Sequence, residues 1–277
     1  MTQVKVILVC LLNALVYKQI KSYQFSGDAT SYGGGEQKNN GVNGYCGFTE
    51  LPKYHVALNS QDWNNSLDCG RCVSISYKDS EPMTAMVTNY CPECKSGDLD
   101  LHADLYKELI KQSPGREKIS WDFVNCPNTM IEENIKLKVH SINYYWLAIT
   151  PVSMKCGIAK MEIMFDSEWI EMDRNDDSTG KKNKMNGLYF IYHAFVKSPF
   201  QLKLTSMYGD VITTPKYDKL EDVLLTNQQF QCNGGADGGD QTEPDCDLPM
   251  PTMQPITPIP QPIQPSKVDE TPLCVCP

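Results

Sequence analysis

The 277-residue sequence predicts a mainly β protein with two folded domains and a Pro-rich tail. Residues 23–127 are rich in glycine and cysteine and contain short strand-like runs. Residues 135–232 alternate between apolar and polar side chains, as half-buried strands do. Residues 233–277 form the tail, which has no aromatic side chain after position 240. Such a composition buries too little apolar area to offset the ordering entropy, so we expect this tail to be disordered.

The first 22 residues predict an export signal. Lys5 precedes an apolar run at 6–17 that is too short to span a bilayer and is followed at once by polar residues. We therefore expect a secreted protein with no membrane span. The net charge of −9 opposes binding to phosphate backbones, so no nucleic-acid partner is expected.

Three strand-like runs and one helix make up the regular elements predicted for the first domain. The strand-like runs lie at 72–77, 84–90 and 119–124. The helix lies within 101–111, where Leu101, Leu105 and Leu109 recur at helical spacing. Asp98 and Asp100 precede it, and acidic side chains at that position cap helices, which is one interpretation of this acidic stretch.

The sequence of the second domain predicts an antiparallel β-sandwich. Its strand-like runs lie at 135–139, 144–150, 158–165, 168–172, 188–195, 201–207 and 210–214. Several short strands at close spacing, separated by polar turns, are typical of this architecture.

The cysteine pattern allows either zinc or disulfides. Cys69 and Cys72 are separated from Cys91 and Cys94 by a spacing that matches a four-thiolate zinc ribbon. An exported chain meets an oxidising lumen, however, and two flanking cysteines, Cys46 and Cys126, bring the count to an even six. We therefore expect disulfides, with no metal and no cofactor.

Removal of the expected signal peptide would leave an odd number of cysteines, so at least one thiol would have no partner within the chain. The chain has twelve cysteines, and export would remove Cys10. We expect an intermolecular disulfide through Cys156 or through the tail cysteines, Cys246, Cys274 and Cys276.

Six short motifs occur in a fixed order: GDATSYGG at 27–34, NGYCGF at 43–48, VALN at 56–59, DCGRCVSI at 68–75, VTNYCPEC at 87–94 and LDL at 99–101. This set resembles the expansins, particularly expansin-like proteins of the slime-mould type, found outside plants. The resemblance implies a double-psi β-barrel similar to the family 45 endoglucanases at 23–127, then an immunoglobulin-like, carbohydrate-binding β-sandwich at 135–232. It also implies three bridges, Cys46–Cys69, Cys72–Cys126 and Cys91–Cys94.

The resemblance further implies a function and a set of contacts. Expansins bind cellulose or related wall glucans and loosen the wall without hydrolysis. The implied polysaccharide contacts are Thr30 and Tyr32 in the barrel groove, Asp100 at the position of the glucanase acid, and Tyr145, Trp146 and Tyr189 as a planar aromatic row. A regular strand places Tyr145 and Trp146 on opposite faces, so exposing both requires a strand end or a bulge.

Hydrolysis would need a second carboxylate. An inverting glycosidase uses two carboxyl groups about 6.5–9.5 Å apart, one as acid and one as base. Asp28 shares the strand face of Thr30 but does not match the position of the base. We therefore expect a protein that is not an enzyme. The alternatives are an endoglucanase with Asp100 as acid and a structural matrix protein cross-linked through its cysteines.

Three further expectations concern single residues. A calcium site from Asp98, Asp100 and Asp104 is an alternative to capping, although the EF-hand glycine loop is missing. His102 is expected on the surface. Asn64, in an Asn-Asn-Ser sequence, is an acceptor for glycosylation in an exported chain.

Overall fold

The structure is a computed structural model that describes residues 24–33, 44–140, 145–175 and 187–233. The expected export signal and all of the Pro-rich tail after position 233 lie outside the described residues. The expectations for the tail cysteines fall outside them too.

Six strands close into a barrel. They are β1 (Phe25–Tyr32), β2 (His55–Asn59), β3 (Cys72–Ser76), β4 (Met83–Cys91), β5 (Leu99–His102) and β6 (Glu117–Val124). The order around the barrel is β1-β5-β2-β4-β3-β6. The pairs β1–β5 and β2–β4 are parallel, and the other pairs are antiparallel. Alternate residues of each strand face inward and are mostly Val, Leu, Ile or Ala, which fill the interior.

A short helix, α1 (Ala103–Ile110), follows β5 and buries one face, with Leu105, Tyr106 and Leu109 in the core. It ends at Lys111, which adopts a left-handed conformation with a φ of 59°. Among the helices of the described residues, none is long and apolar enough to cross a membrane.

Two sheets form the sandwich. Their strands are β7 (Lys136–Val139), β8 (Leu147–Val152), β9 (Ile158–Phe165), β10 (Glu168–Glu171), β11 (Asp173–Asn175), β12 (Tyr189–Tyr192), β13 (Leu202–Ser206), β14 (Val211–Thr213) and β15 (Val223–Leu225). One sheet has the order β10-β9-β13-β14, and the other has the order β11-β12-β8-β7-β15. Inward side chains such as Leu147, Ile149 and Leu204 are fully buried between them.

The barrel and the sandwich share one apolar core. The backbone N–H of Cys126 donates to the carbonyl of Lys155 at 2.7 Å. Arg71 of the barrel pairs with buried Asp68 at 2.5 Å and reaches the Tyr208 hydroxyl of the sandwich at 3.5 Å. The junction therefore combines apolar packing with a buried ion pair.

Four disulfides cross-link the described residues. Three are the bridges that the expansin resemblance implies, Cys46–Cys69, Cys72–Cys126 and Cys91–Cys94. Cysteines bonded in this way offer no thiolates to zinc, so the zinc alternative is wrong.

The fourth bridge corrects an expectation. Cys156 is bonded to Cys232 within the same chain, so it is not the free or intermolecular thiol that we expected. The two cysteines lie 76 positions apart but meet where the end of the sandwich approaches its second loop. Nothing in their spacing along the chain indicates this pairing.

The predicted fold class is confirmed as a closed barrel followed by a β-sandwich. One local prediction is wrong. Asp100 lies inside β5, and the helix starts only at Ala103.

Candidate functional site

The parallel pairing of β1 with β5 brings together the barrel residues that the sequence singled out. Thr30 lies opposite Asp100, and Tyr32 lies opposite His102. The neighbouring residues Ala29, Leu99 and Leu101 point into the barrel core and are fully buried. Because side chains alternate along a strand, the four polar and aromatic groups share the outer face of the barrel.

Asp100 is a half-buried carboxyl group held by one strong hydrogen bond. The Thr30 hydroxyl donates to Asp100 Oδ1 at 2.6 Å. Burial raises the pKa of Asp100 above the usual value for aspartate, and this effect outweighs the opposing effect of the Thr30 hydrogen bond. Asp100 therefore retains its proton to a higher pH than an exposed aspartate does, as a general acid or a hydrogen-bond donor to sugar requires.

Asp28 has a different environment on the same strand. Its carboxylate forms ion pairs with Lys118 at 2.6 Å and with Arg116 at 3.2 Å. The hydrogen bond from Lys118 lowers the pKa of Asp28, although burial opposes it. Asp28 is thus ionised, but two cations neutralise its charge, which weakens it as a base.

The capping interpretation of Asp98 and Asp100 is wrong. Asp98 Oδ1 accepts from the backbone N–H of Asp28 at 2.7 Å, and its Oδ2 accepts from the N–H of Lys95 at 3.1 Å. The N-cap of α1 is His102, whose Nδ1 accepts from the N–H of Asp104 at 3.5 Å. Asp98 therefore fastens β1 to the turn before β5.

The calcium alternative is not supported by the geometry. Among the described residues, the carboxylates of Asp98, Asp100 and Asp104 do not converge on one point. The group that does converge is Cys156, Asp210 and Cys232, whose two sulfurs are bonded to each other.

His102 is not the simple surface residue that we expected. Its side chain is 26% exposed, and its ring lies 4.3 Å from that of His55 and 5.9 Å from that of Tyr32, between centroids. His55 is 6% exposed, and burial lowers its pKa to about 4, so its ring is neutral at neutral pH. Tyr32 is half-buried, and burial raises the pKa of its hydroxyl.

The sandwich aromatics do not form the row implied by the resemblance. Tyr145 is 70% exposed, whereas Trp146 is half-buried and packs on the outer face of the β12 sheet. Tyr189 is only 8% exposed, and its ring meets His140 edge-on at 4.7 Å. Tyr189 therefore offers no flat exposed surface in this structure.

Phe195 takes a position that sequence reasoning missed. It is 44% exposed, and its ring lies 5.3 Å from that of Tyr145. The run 188–195 reads as one strand, but β12 ends at Tyr192, so the alternation that would assign a face to Phe195 does not apply. The sequence signal that could have identified Phe195 as exposed is its position at the end of that run, two residues after the polar His193.

Asn64 begins a short 3-10 turn (Asn64–Ser66), and its side chain is exposed. Ser66, the third residue of its acceptor sequence, is buried. Glycosylation at Asn64 stays a prediction.

No family model matches the chain. Expansin-like protein 6 of Dictyostelium discoideum is 25% identical over 206 residues, which is 68% of this chain and 67% of that protein. Expansin-like protein 1 of the same organism is 24% identical over 207 residues, 69% of this chain and 68% of that protein. Expansin-YoaJ of Bacillus subtilis is 26% identical over 136 residues, 48% of this chain and about half, 53%, of that protein.

Solved structures extend the comparison to the fold. A crystal structure of an apo expansin from Clavibacter michiganensis aligns with a TM-score of 0.61 and 21% identity over 74% of this chain and 96% of that one. A mutant of that expansin in complex with cellohexaose aligns with the same score and 20% identity, over the same shares of the two chains. The predicted resemblance is confirmed, since the chain is similar to expansins in sequence and in fold.

Proposed function

We propose that this expansin-like protein is secreted, binds cellulose or a related wall glucan, and loosens the wall or extracellular matrix without hydrolysing it. The four disulfides support export, because such bridges form in oxidising compartments. Among the fold relatives, one expansin is in complex with cellohexaose, which supports a cello-oligosaccharide or glucan as the ligand.

The observation that carries the proposal is the asymmetry of the two carboxyl groups on the barrel. Asp100 is a half-buried acid bonded to Thr30, whereas Asp28 is bound by Lys118 and Arg116. An inverting glycosidase needs its second carboxylate free to activate a water. A carboxyl group without such a base can bind sugar but leaves the glycosidic bond intact.

Loosening without hydrolysis can draw only on binding energy. The protein shifts the equilibrium towards separated glucan chains if it binds a separated chain more tightly than a packed one. The barrel face around Asp100 and the exposed aromatic pair Tyr145 and Phe195 provide two surfaces for this purpose.

The test combines two readouts on the same samples. Mature protein and its Asp100→Asn variant are applied to pure cellulose and to isolated walls, and reducing ends and extension under constant load are recorded. We expect extension without new reducing ends, and a loss of most extension in Asp100→Asn. The control is Asp79→Asn, which removes an exposed barrel carboxylate away from this face.

The other outcomes identify the alternatives. New reducing ends that depend on Asp100 would make the protein an endoglucanase and overturn the proposal. Glucan binding with neither extension nor new ends would favour a structural matrix protein.

A further inference from the structure

A second row of groups lies beside the Thr30–Asp100 pair on the outer face of the barrel. The register that pairs Thr30 with Asp100 also pairs Tyr32 with His102. His55, on the next strand, contacts both, with centroid distances of 4.3 Å to His102 and 5.9 Å to Tyr32. Three rings from three neighbouring strands therefore line the face next to Asp100.

The hydrogen bond that caps α1 fixes the tautomer of His102. Its Nδ1 accepts from the backbone N–H of Asp104, and a neutral imidazole has one acceptor and one donor nitrogen. This bond favours the tautomer with its proton on Nε2, although the Asp104 carboxylate also lies 3.9 Å from Nδ1. Within the described part of the chain, no hydrogen-bond acceptor is found for that N–H.

The Nε2 edge of His102 lies beside an exposed glycine. A Cβ placed on Gly33 would lie 3.1 Å from Cδ2 and 3.3 Å from Nε2 of His102. Gly33 is exposed, and because it has no side chain no Cβ covers this edge of the ring. Gly33 has a φ of 69°, which itself favours glycine.

A second, independent feature of the row also indicates a ligand. His55 is 6% exposed, and its Nδ1 has no hydrogen-bond partner among the described residues. Buried polar atoms are almost always paired with protein, water or ligand. An unpaired nitrogen inside this row indicates that a group beyond the described residues, such as a water or a ligand, completes its hydrogen bonding.

We propose that His102 is a polysaccharide contact that helps to determine specificity, its Nε2–H donating to a hydroxyl oxygen of the glucan unit next to the one at Asp100. His55 acts as a positioning residue that holds the ring of His102 against Tyr32. Hydroxyl oxygens of a neutral glucan are suitable acceptors for such a donor. This inference rests on the proposed function.

The main variant is His102→Asn. The Asn side chain is a good N-cap, so it preserves α1 while removing the Nε2–H. His193→Asn, at an exposed histidine of the sandwich, is the matched control. Isothermal titration with cellohexaose measures the affinity, and thermal unfolding checks the fold. We expect Kd to rise about two- to tenfold for His102→Asn, the effect of one lost neutral hydrogen bond, and to stay unchanged for the control.

Further variants keep the test decisive. If His102→Asn unfolds, His102→Ser replaces it, since serine also caps helices well. We expect His55→Ala to weaken binding and His55→Phe to restore it, because phenylalanine keeps a ring against His102. Wild-type binding with an unchanged Kd in the folded His102 variants would overturn the inference and leave the proposed function standing. Failure of the wild type to bind any glucan would overturn both.

Discussion

At the scale of single residues, two glycines with nearly the same backbone conformation differ in what surrounds them. Gly97 has a φ of 82°, and Gly209 has a φ of 88°. A Cβ on Gly97 would lie 2.2 Å from the carbonyl oxygen of Ser26, whereas nothing lies within 4 Å of one on Gly209. Gly97 therefore allows β1 to approach the turn that precedes β5.

We expect Gly209→Ala to lower the free energy of unfolding by about 1 kcal/mol, the cost of a left-handed alanine. Gly97→Ala should cost at least about 2 kcal/mol more, because backbone atoms must move apart as well. Urea unfolding of both variants measures the difference. Equal losses of unfolding free energy in the two variants would show that the close approach at Gly97 adds nothing to the cost of the substitution.

The raised pKa of Asp100 predicts how its charge affects stability. The folded state binds the proton of Asp100 more tightly than the unfolded state does, so its contribution to stability falls as pH rises from the ordinary value, 3.8, through the folded pKa. We expect Asp100→Asn to be more stable than wild type at pH 7 and to lose this advantage below about pH 3.8. Urea unfolding at pH 3 and pH 7 tests this. An advantage of the same size at both values would contradict it, and Asp79→Asn controls for general charge effects.

At the scale of elements, the disulfides close loops of very different length. Cys156 and Cys232 lie 76 positions apart, and Cys91 and Cys94 lie 3 positions apart. In the chain-entropy model the longer loop stabilises the fold by about 4 kcal/mol and the shorter one by about 2 kcal/mol. The double serine variant at 156 and 232 should therefore have the lower thermal midpoint of the two double variants. The reverse order would mean that local geometry, not loop closure, dominates.

The sequence predicts most strands but not how they are joined. The run 119–124 is recognisable because apolar residues alternate along a half-buried strand, and the run 72–77 is a short apolar stretch whose residues are nearly all buried. β5 is missed because it has only four residues and runs directly into α1, so its leucines fit the helical period as well. Pairing with β1 and β2 makes these residues a strand rather than the start of the helix. Such pairing between distant segments cannot be found from the local sequence pattern.

The candidate site, too, is predicted only in part from the sequence. The motifs that resemble expansins single out Thr30, Tyr32 and Asp100, and the structure places all three on one face. His55 and His102 join them only through pairing between strands distant in sequence. Tyr189 is buried within β12, so its role as a polysaccharide contact stays a prediction. The exposure of Phe195 follows from the end of β12 at Tyr192, which strand alternation does not show.

At the scale of the whole molecule, the second binding surface that we propose consists of exposed rings. Tyr145 and Phe195 present large apolar area to solvent, and stacking on a glucan would remove it from water. We expect Tyr145→Ala and Phe195→Ala each to weaken binding to insoluble cellulose about fivefold, or about 1 kcal/mol. Depletion assays measure this. Leu225→Ala, at an exposed sandwich leucine, and Tyr189→Phe, at a buried tyrosine, should bind like wild type, and a loss in either would contradict this assignment.

The parallel pairing of β1 with β5 also affects the order in which the barrel can assemble. Thr30 and Asp100 lie 70 positions apart, and the other neighbour of β1 begins only at Glu117. As the chain emerges from the ribosome, both edges of β1 therefore lack their partner strands until most of the barrel sequence has been synthesised. Contacts of such long range form late and slowly. The outer face that carries Thr30 and Asp100 therefore forms only when the barrel closes.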